Sequence, residues 1–187
     1  MIHDFVDKFE FSLGKREQFD MELLKESITG CVDIKKTDEE TDKAGVDYIA
    51  TLRRGAKVLV DAKARKKGAS KYWKNGEPEL ALEIWSVCPS EKSEGKVGWT
   101  LNENSEVDLI LYTFDPSDCN SFYLIPFQNL RLAFIRNYAE WKSKYSIKTQ
   151  TSKKEESGKN WTSKAIFVPA SVVIRSVSET MTGQTRR

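Results

Sequence analysis

Two acids and one lysine in the first third of the chain have the types and the spacing that hydrolysis of a phosphodiester requires. Asp61 and Lys63 stand two positions apart, and Asp47 precedes Asp61 by 14 positions (61 − 47). Paired carboxylates hold a hard divalent cation through oxygen, and the cation lowers the pKa of a bound water and neutralises the phosphate. A neighbouring lysine stabilises charge that develops in the transition state. These residues therefore predict metal-dependent phosphodiester hydrolysis.

A β-hairpin is predicted to bring the three residues together. Residues 46–52 and 57–65 are rich in β-formers, and the segment 53–56 between them contains a glycine, which predicts a turn. Antiparallel pairing places Asp47 opposite the end of the second strand that carries Asp61 and Lys63. The side chains of Asp61 and Lys63 share one face of that strand, because successive residues alternate between faces.

Further oxygen ligands are expected from the backbone and from a third strand. The carbonyl of Ala62 lies between the two side chains of the motif. Glu83 shares a face with Ala81 and Trp85 in the predicted third strand, 80–87, and is either an additional metal or water-positioning acid or a surface carboxylate. Mg²⁺ is the expected metal, with Mn²⁺ as the alternative, because these cations take oxygen ligands and Mg²⁺ keeps several waters.

A predicted helix, residues 15–29, precedes the hairpin. Its apolar positions recur at helical spacing, at Phe19, Leu23, Leu24 and Ile28. Asp20 falls in the middle of this apolar arc, and Glu17 also lies inside it. Acids on a core-facing stripe are costly unless they have a partner. We therefore expect each of these acids to have a polar or charged partner. Asp20 lies deeper in the apolar arc than Glu17.

Basic residues are concentrated around the motif. Between positions 53 and 74 the chain has nine basic residues and a single acid, Asp61. Such a segment is suited to a polyanion, although a charge run is also typical of any solvated face. If the substrate is a nucleic acid, the chain that continues from the strand 57–65 leaves the site along the sugar-phosphate backbone of the substrate. The residues then expected to contact phosphates are Arg65, Lys66, Lys67 and Lys71.

The rest of the chain predicts further strands and two helices. Strands are expected at 97–101 and 107–114, joined by a polar turn, and a long helix is expected at 127–145. Residues 146–160 are polar without periodicity and predict a long surface loop. A short strand at 164–168 and a closing helix that begins at Pro169 and runs through Val177 follow. The predicted class is α/β, with one domain at 1–178 and a disordered tail at 179–187.

Composition excludes several classes of chemistry. The chain has 187 residues, of which 39% are hydrophobic, which suits one packed domain. Its only histidine is His3, and its three cysteines are far apart, so catalysis assisted by histidine and zinc or redox sites built on paired cysteines are not expected. No stretch approaches the roughly 20 apolar residues of a membrane span, and the charged N-terminus does not resemble a secretory signal. A soluble, cytoplasmic protein is expected.

The motif resembles the signature of the PD-(D/E)xK nuclease superfamily. Gly45-Val46-Asp47, followed by Val58-Leu59-Val60-Asp61-Ala62-Lys63, is similar to the family pattern of an acid, a gap of roughly a dozen residues, and acid-x-lysine on the next strand. Val46 stands where the pattern has proline. The resemblance implies a restriction-endonuclease-like core, in which a helix precedes a three-stranded antiparallel meander, and another helix and strand follow. In branches such as the archaeal-type Holliday junction resolvases the preceding helix adds an acid, which implies Asp20, or Glu17, as a further site residue.

The resemblance implies a nuclease that acts on DNA, with an endonuclease favoured over an exonuclease. The second half of the chain is also similar to small phage- and mobile-element-associated members, at Gly98-Trp99 and Asp108-Leu109-Ile110-Leu111-Tyr112. The alternative is a non-catalytic DNA-binding or nuclease-blocking protein that keeps the fold. The complete set of Asp47, Asp61 and Lys63 argues against it, because a binding module does not need carboxylates beside a phosphate. A homodimer is left open.

Overall fold

The computed structural model describes residues 13–38, 45–91, 93–153 and 160–183. In chain order its elements are α1 (Leu13–Ser27), β1 (Cys31–Lys36), β2 (Tyr48–Leu52), β3 (Lys57–Arg65), β4 (Glu79–Val87), β5 (Lys96–Val97), β6 (Leu109–Phe114), β7 (Phe122–Pro126), α2 (Phe127–Lys144), β8 (Ser146–Lys153), β9 (Asn160–Pro169) and α3 (Ala170–Thr182). The fold is mixed α/β, as predicted. No helix in these ranges is long and apolar enough to cross a membrane.

The chain forms two compact units. The first contains the described residues up to Gly76 together with Glu106–Phe127, and its five-stranded sheet has the order β1-β2-β3-β6-β7. β1, β2 and β3 pair antiparallel, whereas β6 lies parallel to β3. The predicted mixed sheet with an antiparallel meander is therefore present in this unit.

One face of this sheet packs against α1. Leu24 and Ile28 of the helix form a buried cluster with Tyr48, Ala50 and Val60 of the strands. Because strand side chains alternate between faces, the packing of Val60 against the helix directs its neighbour Asp61 to the other side of β3. The same alternation that builds the core thus sets the direction of the motif residues.

The hairpin of β2 and β3 forms as predicted. Tyr48 pairs with Val60 in an antiparallel register, and the Leu52 amide donates to the Ala56 carbonyl across the turn at 2.8 Å. Gly55 closes the turn with a φ of 78°. This left-handed conformation is open to glycine without a steric penalty, which explains why a glycine stands at this position.

The second unit contains Glu77–Ser105 and the described residues from Gln128 onward. Its sheet has the order β5-β4-β9-β8, and the pairs are antiparallel. Its core includes Leu82 of β4, Ile166 of β9 and Trp141 of α2, which are nearly inaccessible to solvent. Both units are assembled from two separate stretches of chain, and the single-domain organisation expected from length stays a prediction.

The third strand of the meander is not the one expected. Residues 80–87 are a strand, β4, but β4 belongs to the second sheet, and the strand beside β2 is β1. The six residues of β1 include Asp33, Lys35 and Lys36, and none of the six is buried. Cys31 and Ile34 pack partly buried against the core, but they are three positions apart with a bulge between them, so the alternation by which strands are identified in a sequence is missing.

Several other boundaries differ from the predicted ones. At 97–101 only Lys96–Val97 is a strand, a 3-10 helix follows at Trp99–Leu101, and β6 joins the other sheet instead of forming a hairpin. The predicted loop 146–160 begins with β8, a polar strand that forms because β9 supplies its backbone hydrogen-bond partners. Residues 154–159 lie outside the described ones. Helix α3 continues to Thr182, so residues 179–182 are helical, and residues 184–187 of the predicted tail are not described.

Candidate active site

The candidate site is built around Asp47, which the hairpin fixes beside the motif of β3. The Asp47 amide donates to the Val60 carbonyl at 2.9 Å. Its carboxylate in turn accepts the Ala62 amide at Oδ2, at 2.6 Å. Asp47 is therefore held at this end of β3 by two hydrogen bonds, one from its amide to Val60 and one from Ala62 to its carboxylate, which flank Asp61.

Asp61 is buried and paired with Lys63. Nζ of Lys63 lies 2.5 Å from Oδ1 of Asp61, and the side chain of Asp61 is 6% exposed. The pKa of Asp61 is raised to about 6, mainly by burial; the Lys63 ammonium opposes this rise, and the nearby Asp47 carboxylate adds to it. The two carboxylates are thus close enough to interact directly, as predicted from the hairpin register.

Asp20 of α1 is a second buried carboxyl, and it has the partners that its position in the apolar arc demands. The Tyr48 hydroxyl donates to Oδ2 of Asp20 at 3.3 Å, and Nε of Arg16 lies 3.7 Å from the same oxygen. Oδ1 of Asp20 is buried and has no hydrogen-bond partner among the described residues. Burial is the largest cause that raises the pKa of Asp20 to about 6, and the Asp47 carboxylate adds to it.

Asp47 therefore interacts with both buried acids. Asp20 approaches from the α1 side of the sheet, whereas Asp61 and Lys63 project from the other face of β3, and Asp47 stands at the strand end next to both. Sequence reasoning did not single out Tyr48 or Arg16. Both had a signal: Tyr48 follows Asp47 and so faces α1, and Arg16 precedes Asp20 by one helical turn.

Glu17, the alternative helix acid, has a different environment. Its side chain is 44% exposed and binds the Lys36 ammonium of β1. Of the two acids, Asp20 is the one buried in the apolar arc, as its position predicted. Glu17 nevertheless lines the same cavity as Asp20. This cavity has a volume of about 200 Å³ and is lined by Arg16, Glu17, Asp20, Lys36, Asp47, Tyr48 and Ala62.

The donor set fits a cation held by few protein oxygens. In the described residues no group of three or more acids, histidines or cysteines is already arranged around one point as a metal site. Two buried acids with raised pKa values, and the buried Oδ1 of Asp20 without a hydrogen bond, nevertheless favour a positive charge nearby. Mg²⁺ accepts such a site because it commonly uses one or two carboxylates and several waters. A role of the Ala62 carbonyl as a ligand stays a prediction.

The remaining predicted site residues fall in two places. Lys66, Lys67 and Lys71 are exposed and follow Arg65 at the end of β3. Glu83 lies on β4 in the second unit, where its carboxylate accepts the Ser86 hydroxyl at 2.6 Å and the Trp99 amide at 3.3 Å. These two bonds give the Glu83 carboxylate a structural role within its own unit, and its role as an additional metal acid stays a prediction.

Comparisons of the chain with protein-family models, with curated proteins and with solved structures find no match.

Proposed function

We propose that this chain is a metal-dependent endonuclease that hydrolyses DNA phosphodiester bonds. The observation that carries the proposal is the meeting of the Asp47 and Asp61 carboxylates at one end of the hairpin, with the Lys63 ammonium on Asp61. Structural ion pairs rarely need a second carboxylate beside the first, because like charges repel each other. Two adjacent acids and a lysine are, in contrast, the set that phosphodiester hydrolysis uses.

The element order of the first unit supports a restriction-endonuclease-like core. Helix α1 precedes the antiparallel meander β1-β2-β3, and β6 then joins β3 in parallel. The sequence resemblance to the PD-(D/E)xK superfamily implies a helix, a three-stranded antiparallel meander, and then another helix and strand. In the described residues the chain between β3 and β6 forms short 3-10 helices and the strands β4 and β5, so the helix expected after the meander is not at this place. Asp20 on α1, Asp47 before β2 and Asp61 on β3 are the acids that we assign to the positions of that resemblance.

Each residue then has a distinct task. Asp47 and Asp61 would hold Mg²⁺ or Mn²⁺ through their oxygens, with the Ala62 carbonyl and Asp20 as further candidates. The bound cation would supply neutralisation of the phosphate and activation of the attacking water. Lys63 places its ammonium group beside the phosphate, where negative charge grows as the bond breaks. Lys66 and Lys67, exposed beyond the end of β3, contact the DNA backbone.

A cleavage assay with a matched pair of variants tests the proposal. Supercoiled, linear and branched DNA are incubated with the protein, with and without Mg²⁺ or Mn²⁺, and the products are separated on a gel. Asp61→Ala should abolish metal-dependent cleavage while DNA affinity stays similar or rises, because a metal ligand and a negative charge are lost together. Asp33→Ala, which removes a half-exposed acid paired with Lys35 on β1, should leave cleavage intact.

A binding protein that keeps the nuclease fold is the second candidate. It is favoured by two hydrogen bonds that use carboxylate oxygens otherwise open to a metal ion. The Ala62 amide donates to Asp47, and the Lys63 ammonium donates to Asp61. If the wild-type chain cleaves no DNA form with either metal, yet binds DNA in a manner indifferent to Asp61→Ala, the binding function replaces the enzymatic one. A cytoplasmic site of action and a homodimer remain predictions that this assay does not address.

A further inference from the structure

The parallel pairing of β3 and β6 brings two loops of opposite charge to one edge of the sheet. The last residues in register are Arg65 and Phe114, so both strands end there. β3 continues into residues 65–74, here called the basic segment. β6 continues into the turn 115–118, which is closed by a hydrogen bond from the Asp118 amide to the Asp115 carbonyl at 2.9 Å.

The Asp118 side chain binds the middle of the basic segment. One carboxylate oxygen accepts the Ala69 amide at 2.9 Å, and the other accepts the Ser70 hydroxyl. These bonds, together with the amides of Gly68 and Ser70, hold the pKa of Asp118 below its usual range. Gly68 has a φ of 83°, which lets the chain turn so that successive amides point toward the carboxylate.

The two ends of the basic segment are anchored by the same short stretch of chain. The Asp115 amide donates to the Arg65 carbonyl at 3.2 Å. At the other end the ring of Trp73 meets the ring of Phe114 edge-on, with centroids 5.6 Å apart. Between these anchors the exposed lysines of the segment are Lys66, Lys67 and Lys71.

By charge alone, Asp118 should weaken the binding of a polyanion to the basic segment. An acid beside lysines that bind a polyanion reduces the attraction, so its removal should strengthen binding. The hydrogen bonds of Asp118 should have the opposite effect and strengthen binding. A lysine-rich loop without an anchor loses conformational freedom when it binds, and an anchored loop loses less. We propose that Asp118 is a positioning residue, which holds the basic segment in the conformation that contacts the DNA backbone; this inference rests on the proposed function.

The two views predict opposite effects of one substitution. Asp118→Asn removes the negative charge and weakens the bonds to Ala69 and Ser70. If Asp118 positions the segment, DNA affinity should fall by about 3- to 10-fold, and the slope of log K against log salt should flatten by about one unit for each phosphate that the segment ceases to bind. Ser70→Ala, which leaves every charge in place, should change affinity and slope in the same direction. Thermal unfolding of each variant shows whether the fold is retained.

Glu26→Gln is the matched control. Glu26 is an exposed acid of α1, and it lines a cavity together with Pro116 and Cys119, two residues that are close to Asp118 in the sequence. Glu26→Gln changes the net charge by the same amount as Asp118→Asn. This variant should bind DNA as tightly as the wild type or slightly more tightly. The inference is overturned if Asp118→Asn binds DNA equally or more tightly with an undiminished slope while Lys66→Gln/Lys67→Gln weakens binding; DNA binding itself would then stand. Absence of DNA binding by the wild-type chain would overturn this inference and the proposed function together.

Discussion

At the scale of single residues, the candidate site holds two carboxyls where water is scarce. Burial raises the pKa of Asp20 and of Asp61 from 3.8 to about 6. The folded chain therefore binds a proton at each acid more tightly than the unfolded chain does. Their contribution to stability is fully present below a pH of about 3.8 and is lost as the pH rises through about 6. Without metal, these acids destabilise the fold at neutral pH.

Asp61→Asn should stabilise the metal-free protein while it abolishes cleavage. The expected gain in the free energy of unfolding is about 1–3 kcal/mol at neutral pH, since a pKa shift of one unit corresponds to about 1.4 kcal/mol. Urea unfolding at neutral pH and again near pH 4 measures it, and the gain should largely disappear at the lower pH. Asp33→Asn, at an exposed acid, should change stability by no more than about 0.5 kcal/mol. A metal-free Asp61→Asn protein less stable than wild type at neutral pH would contradict the prediction.

Lys63 should matter for turnover more than for binding. Its ammonium group is directed at charge that grows in the transition state, so Lys63→Ala is expected to lower kcat by about 10²–10³-fold and DNA affinity by much less. Lys57→Ala removes an exposed lysine from the start of the same strand and serves as the control. Single-turnover kinetics and a direct binding titration separate the two effects, and equal losses in both would show that Lys63 only binds substrate.

At the scale of elements, the position of Asp20 depends on how α1 packs on the sheet. Leu24, one turn after Asp20, is fully buried against Ala50 and Val60. Leu24→Ala should lower the free energy of unfolding by about 2–5 kcal/mol, because it leaves a cavity in this cluster. Lys25→Ala, on the exposed side of the same helix, should have an effect within about 0.5 kcal/mol. Denaturant unfolding measures both, and a similar loss in the two variants would show that the helix does not pack as described.

At the scale of the whole molecule, the distribution of charge matters more than the net charge, which is only +2. Lys66→Gln/Lys67→Gln should weaken DNA binding and flatten its salt dependence by about one unit of slope per phosphate contact. Lys142→Gln/Lys144→Gln changes the net charge equally at the end of α2 and is expected to have a smaller effect. Binding titrations over a range of salt concentrations measure the slope for both double variants. Equal changes in slope would mean that DNA binding is not localised to the basic segment.

Local chemistry determined much of what could be predicted from the sequence of this protein. Alternation along β3 directs Asp61 and Lys63 to one face, and the glycine turn sets the register that brings Asp47 to them. Both rules act over a few residues, so they hold before any tertiary packing is known. Helical periodicity similarly predicted the burial of Asp20 in α1.

Only the tertiary structure decided which strands become neighbours. β1 and β8 show no alternation of apolar and polar residues, and each is a strand because a partner satisfies its backbone hydrogen bonds. The parallel pairing of β3 with β6 joins residues 49 positions apart (109 − 60), and it brings Asp118 to the basic segment. Pairings between segments so distant in sequence depend on the packing of the whole unit, which no local pattern of residues encodes.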